Sequence, residues 1–282
     1  MLYNIINTLK NVLSGQKNDD LDIRMRDIVN SKNSLKCHGF KPFVITLKSK
    51  TLMSYINRLT DYDSKIKELN EFQDILFKVS KKIYTKYDPH LIYTFQNEIN
   101  VVFYYNDDGN YIYDGNINKM ITSMSSYVTM EFTKQLLKRN IDIDVYFFSQ
   151  FVEFDIDYEI LNYLVWRQMD CKRNTITLLY KCMYKDEFLD GTRCVENVSV
   201  TKMIELISDK VRDNNNLLIG NTIKKFLFYK IVKGKFDKKN VDNSDNVDGD
   251  IMVSRKSVGI ETVIFSENFK ENLQKYVMNK VY

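Results

Sequence analysis

Histidine, proline and tryptophan are almost missing from this chain, and cysteine is sparse. Two histidines, His38 and His90, leave little material for a catalytic triad or for His-based acid–base work. The four cysteines, Cys37, Cys171, Cys182 and Cys194, show no CxxC spacing. A tetrahedral zinc site needs four clustered sulfur or imidazole ligands, and the adjacent Cys37 and His38 supply two. Free, mostly buried thiols are expected instead. No apolar run approaches the ~20 residues that span a bilayer. Met1 to Leu13 is mildly amphipathic without the apolar core and cleavage site of a signal peptide, so a cytoplasmic location is expected. Two prolines beside abundant Asn, Lys, Ile and Tyr match the bias of an AT-rich genome, viral or microbial.

What is present describes a folded chain. Hydrophobic residues make up 44% and aromatics 13% of 282 residues, enough for one elaborated domain or two small ones. A net charge of +4 tolerates a nucleic-acid partner without demanding one.

Residues 1–40 are polar and mixed, with a loop at Ser14 to Asp20. Phe43-Val44-Ile45-Thr46-Leu47 reads as a buried strand. Ile66, Leu69, Phe72, Leu76, Val79 and Ile83 recur in steps of three and four, predicting a helix over 65–86 capped by Asp63 or Ser64. After Pro89, Leu91–Phe95 and Ile99–Tyr105 read as strands joined at Gln96-Asn97-Glu98, and Asn106–Asn110 as a turn. A second helix is expected over 117–138 and a fourth strand over 143–148. This βαββαβ order predicts an α+β fold: a ferredoxin-like, polymerase-palm-like domain over 41–150, with two helices on one face of a mixed four-stranded sheet. A helical and mixed part fills 151–282. It should hold a helix over 157–184 capped by Asp155 or Asp157, another near 200–211, strands at 226–232 and 260–265, and a flexible loop at about 236–250.

One motif stands out on the third long helix. Trp166-Arg167-Gln168, then Asp170-Cys171 and Asn174, reproduce at the same spacing a motif of the tRNA-His guanylyltransferases, and the chain resembles that family. Asn118-Lys119-Met120-Ile121-Thr122 is similar to its Ser-Lys-x-x-Thr segment, and Lys224-Lys225-Phe226 and Arg255-Lys256-Ser257 sit where it carries basic segments. The resemblance implies a polymerase-palm-like domain adding a nucleotide to a tRNA 5′ end in the 3′-to-5′ direction. It further implies Mg²⁺ and a nucleoside triphosphate such as GTP as cofactors, tRNA or tRNA-like RNA and nucleotide as partners, no membrane, and a homo-oligomer. Carried onto this sequence, the nucleotide- or RNA-binding residues are Lys50, Lys119, Trp166, Arg167, Gln168, Asp170 and Asn174.

The departures fall on the chemistry. The family's two metal-binding aspartates are matched by Lys48 and Asn97, and Glu98 is the one retained carboxylate and the one candidate metal ligand. Later helix positions also differ, at Thr175, Thr177 and Leu178. Replacing Asp by Lys and by Asn makes the site more positive by three charges, against interactions of roughly 4 kcal/mol per pair of unit charges at 4 Å and an effective dielectric of 20. Three readings of Lys48 and Glu98 follow. They form a salt bridge in a vacated metal site, the preferred reading; or Lys48 is a tethered cation for phosphate; or a rebuilt one-metal site keeps a transferase active. A structural interaction module is the further alternative. For the motif, Arg167, Lys172 and Arg173 contact RNA phosphate, or Trp166 is a core anchor and Arg167–Asp170 a local pair. Lys81, Lys82 and Lys86 read as a solvated basic face, and Tyr104-Tyr105 as edge-strand packing or a base stack.

Overall fold

The computed structural model describes residues 35–38, 41–59, 61–104, 111–184, 186–187, 191, 198–213, 215–234 and 249–278. Strand β1, Phe43–Lys48, is buried except at Lys48. Because strand side chains alternate, Phe43, Ile45 and Leu47 share one face, and Val44, Thr46 and Lys48 the other. Helix α1, Lys50–Arg58, buries Leu52 and Ile56. Helix α2, Tyr62–Tyr87, starts earlier than its apolar stripe suggests. Its cap is Asp61, whose Oδ1 accepts from the Ser64 amide at 2.7 Å, rather than Asp63 or Ser64. The helix ends on Asp88 in the left-handed region (φ 44°), followed by Pro89.

Strands β2, Leu91–Phe95, and β3, Glu98–Phe103, are buried throughout. Their connection is two residues, not three: Gln96 takes the positive φ (45°) that tight hairpins require, and Glu98 opens β3. Tyr104 is buried behind a central strand, which removes the edge-strand reading; Tyr105 and the turn at 106–110 lie outside the described residues, as do Cys194 and the loop at Ser14 to Asp20. Helix α3, Ile117–Leu137, is capped by Asn116, which accepts from the Lys119 amide at 2.9 Å.

Strand β4 is Phe148–Glu153, not 143–148. The alternating Ile143, Val145 and Phe147 pack against the apolar core in chain without regular secondary structure, and pairing with β1 begins at Phe148. Helix α4, Tyr158–Met183, has Asp157 at its N-cap position without a side-chain cap, while Asp155 instead pairs with Lys41 at 2.6 Å. The helix expected near 200–211 breaks at Ile207 into α5, Val200–Leu206, and α6, Ser208–Asp213, before α7, Asn215–Ile219. The last strands are longer than expected: β5 spans Asn221–Gly234 and β6 Gly249–Glu261. Residues 262–265 therefore leave the strand, and 249–250, expected in a loop, belong to it; the rest of that loop lies outside the described residues. Helix α8, Phe269–Asn272, and a π-helical turn, Leu273–Met278, close the described chain.

The sheet runs β4-β1-β3-β2-β5-β6, and its neighbours are all antiparallel. It is not mixed, because the parallel relations made by the helical crossovers, β1 with β2 and β3 with β4, are interleaved rather than adjacent. Gly220 lets β5 approach β2: at φ 78° it is left-handed, and a Cβ there would sit 2.7 Å from the Thr94 carbonyl oxygen. On one face, Phe43, Ile45, Leu47, Val101 and Phe103 pack against Phe72 and Ile75 of α2 and Met124 and Phe132 of α3. On the other, Val44, Leu91 and Val102 meet Ile160, Leu161 and Leu164 of α4. Each fully buried large apolar side chain contributes about 1.5–3 kcal/mol. Among the described residues no helix is long and apolar enough to cross a membrane.

Candidate functional site

The face of the sheet under α4 changes character along its strands. At one end Val44 and Val102 are paired across β1 and β3; next come Thr46 and Asn100, and at the other end Lys48 and Glu98. Directly opposed residues put their side chains on the same face, so β-sheet register alone brings Lys48 to Glu98. The gradient is apolar, then polar, then charged.

Glu98 is 1% exposed. An unpaired carboxylate there would be strongly penalised, so its partners decide the site. Arg167 reaches down from α4 and grips it with two parallel bonds, Nε to Oε1 at 2.7 Å and Nη2 to Oε2 at 2.6 Å. Asn100 donates to Oε1 at 3.0 Å, and the Lys48 ammonium lies 3.6 Å from Oε2. Asp170, one turn beyond Arg167, pairs with its Nη1 at 3.3 Å and also with Arg173. Burial works to lower the Arg167 pKa, but the Glu98 bonds and charge outweigh it and the guanidinium is held above its ordinary value. Lys48, Arg167 and Arg173 face Glu98 and Asp170, so the linked set carries one net positive charge and Glu98 itself is fully compensated.

A polar layer supports it. Thr46 donates to the Asn100 side-chain Oδ1 at 2.9 Å, and the Tyr163 hydroxyl donates to the same oxygen at 3.2 Å. Burial pushes the Tyr163 phenol up and the Cys171 thiol up to about 12, so neither ionises near neutrality.

The hairpin is locked by its side chains. Asn97, 5% exposed, donates its amide to the Ser49 carbonyl, while its own carbonyl accepts the Ser49 amide at 3.0 Å. Gln96 donates to Thr175, which donates to the Leu217 carbonyl at 3.1 Å. An aspartate at 97 would have no hydrogen to offer the Ser49 carbonyl. The two Asn97–Ser49 bonds tie the β2–β3 hairpin to the end of β1. Among the described residues no group of three or more His, Cys, Asp or Glu is placed to hold a metal. Glu98 is the one carboxylate within the Lys48–Asn97–Glu98 set, and its oxygens are committed to Arg167, Asn100 and Lys48, so this donor set does not fit a pair of Mg²⁺ ions.

The other expected residues divide. Arg167 and Asp170 belong to the cluster. Gln168 is buried and committed to main chain: it donates to the Ile219 and Val263 carbonyls and accepts from the Phe265 amide, clamping the C-terminal segments onto α4. Trp166 is 58% exposed and so is not a core anchor. Asn174 and Lys50 are exposed, Lys50 lying 5.8 Å over the Phe148 ring. Lys119 is exposed on α3, which covers the opposite face of the sheet from Glu98. Of the expected basic face, Lys82 pairs with Glu131, while Lys81 and Lys86 lie over the rings of Phe77 and Tyr127. Sequence reasoning passed over Asn100, Thr46 and Tyr163. Period two from Glu98 finds Asn100, and four residues back from Arg167 finds Tyr163.

No protein-family model matches the chain. An uncharacterised protein of Acanthamoeba polyphaga mimivirus is 21% identical over 261 residues, covering 86% of this chain and 77% of that protein. A bacterial tRNA-His guanylyltransferase-like protein solved with GTP superposes at a TM-score of 0.64 with 16% identity, covering 90% of this chain and 98% of the other. A structure of such a bacterial protein with ATP gives 0.65 and 17%, covering 90% and 97%. The tRNA-His guanylyltransferase of Saccharomyces cerevisiae gives 0.50 and 15%, covering 68% and 90%. The chain has the fold of the tRNA-His guanylyltransferase-like proteins.

Proposed function

We propose that this protein is a divergent relative of the tRNA-His guanylyltransferases that binds nucleotide and RNA through a site no longer built for metal-dependent nucleotidyl transfer. The observation that carries the reading is Glu98, buried and held by both nitrogens of an Arg167 fork. Two-metal transfer needs carboxylates free to hold cations about 3.5–4 Å apart. Here the one carboxylate of the strand-and-hairpin set is neutralised by protein cations, and Asn97 has traded anionic oxygen for an amide donor.

A nucleotide remains a fitting ligand. Solved proteins of this fold carry GTP and ATP. At 3.6 Å Lys48 is ion-paired but outside the usual hydrogen-bond range, and its side chain is 37% exposed. Its ammonium therefore keeps donors for a phosphate oxygen, as a monocation where a two-metal enzyme uses divalent ones.

The test is incubation with labelled GTP and 5′-monophosphorylated or 5′-triphosphorylated tRNA over a range of Mg²⁺ and Mn²⁺ concentrations. The expected outcome is no incorporation, with GTP binding that survives EDTA and weakens several-fold in Lys48→Ala. Metal-dependent incorporation that Lys48→Ala abolishes would show an active transferase with a rebuilt site.

A further inference from the structure

The outer side of α4 carries a surface that the Glu98 cluster does not use. Trp166, Met169 and Arg173 follow one another at i, i+3 and i+7, the spacing that puts residues on one helix face. Trp166 is 58% and Met169 65% exposed, and the Arg173 side chain is 63% exposed. With Asp170, Lys172 and, from α5, Val200 and Ile204, they line an open depression of about 670 Å³. Single exposed apolar residues are ordinary, but an indole and a thioether side by side over a depression mark a binding surface.

The indole is braced from within. The Arg167 guanidinium lies 4.6 Å from its ring centroid, and the Tyr163 ring meets it at 5.7 Å and 62°. Arg167 is itself fixed by Glu98, so the ring is held as a platform rather than left to rotate. Arg173 lies about 10 Å further along the helix axis, at 1.5 Å rise per residue. A stacked base and a neighbouring phosphate can bridge that distance.

We propose that this face of α4 is a stacking platform for single-stranded nucleic acid, with an unpaired base on Trp166 and Met169 and a flanking phosphodiester at Lys172 and Arg173. The charge selects this occupant. Asp170 already shares its carboxylate between Arg167 and Arg173, which leaves a modest positive excess. That suits a singly charged phosphodiester and falls short of the several charges of a free triphosphate. Met169, Val200 and Ile204 offer no hydrogen bond to a base edge, the Asp170 carboxylate is engaged by Arg167 and Arg173, and the indole N–H is a single donor, so binding should tolerate sequence. The platform is independent of whether Lys48 holds a phosphate.

Trp166 is the only tryptophan, so its emission reports the platform directly. Titration of the full chain with a uridylate 12-mer, and with the deoxythymidylate equivalent, should quench it saturably, whereas a duplex of equal length or GTP should not. With fluorescently labelled 12-mer, Trp166→Ala should weaken binding roughly 5- to 150-fold, corresponding to the loss of about one stacked base, and Trp166→Phe should keep most of the affinity. Lys172→Gln with Arg173→Gln should flatten the salt slope by about 1.4, for two single-strand phosphate contacts. The proposal is overturned by a Trp166→Ala protein that binds the 12-mer as tightly as the parent, or by emission unchanged at saturation. It is equally overturned by quenching with GTP alone, or by self-association in sedimentation that shields Trp166 without oligonucleotide. GTP binding with EDTA is measured in parallel, so a failed platform does not count against the Lys48 site.

Discussion

The two faces of the sheet obey the same alternation and put it to different uses. Under α2 and α3 every position of β1 and β3 is apolar: Phe43, Ile45, Leu47, Ile99, Val101 and Phe103. Under α4 the same two strands run through Val44 and Val102 to Thr46 and Asn100, and then to Lys48 and Glu98. One face is apolar along its whole length, and the other is apolar at one end and charged at the other. The apolar face is the part of the sheet that two crossing helices cover, and the fold it supports superposes on guanylyltransferase-like structures at 15–17% identity.

The contrast predicts different responses to deletion. Arg167→Ala should cost about 3 kcal/mol in denaturant unfolding, because it strips the buried Glu98 of its two-bond partner and leaves it only Asn100 and the more distant Lys48. Phe72→Ala, on the apolar face, should cost a similar amount through an unfilled cavity. The second step separates them: adding Glu98→Leu to Arg167→Ala should recover much of the loss. Simple additivity of those two changes would mean that the charged cluster behaves as an ordinary core.

A smaller effect belongs to the helix layer. Glu131 is held below the usual carboxylate range by hydrogen bonds from Lys82 and then Lys134. A depressed folded pKa stabilises the protein above the ordinary value near 4.5, and that contribution is lost as pH falls through the folded value. Glu131→Gln should therefore flatten the acid limb of melting temperature against pH between about 5 and 3, by an amount within about 1 kcal/mol or 2–4 °C. An unchanged acid limb would mean that the pair is held equally well in the unfolded chain.

Much of this was legible in the sequence where burial is periodic. The stripes of α2, α3 and α4 read directly, because each helix buries a regular face. Helix α1 carries the same signal over only two turns: Leu52 and Ile56 are buried and Tyr55 and Leu59 partly so, at i, i+3, i+4 and i+7, a stripe too short to stand out between β1 and the long stripe of α2. The alternation at Ile143, Val145 and Phe147 predicts a strand, but hydropathy reports burial and not pairing: Val145 and Phe147 are buried and Ile143 partly so, without a strand partner. The Lys48–Glu98 contact followed from strand order. Its stronger partner did not: Arg167 lies 69 residues from Glu98, and its reach depends on how α4 packs across the sheet. The motif marks Arg167 as a candidate phosphate contact, whereas its guanidinium is committed to the buried Glu98.

The most direct test of the central claim is calorimetry with Mg²⁺ and a non-hydrolysable GTP analogue on the parent and on Lys48→Asp/Asn97→Asp. The double change makes the site more negative by three charges while Arg167, Asn100 and the sheet remain. The account predicts metal-independent nucleotide binding by the parent and metal-dependent binding only in the variant. Metal-dependent binding by the parent, of the same strength as in the variant, would contradict it and place the metal ligands elsewhere in the chain.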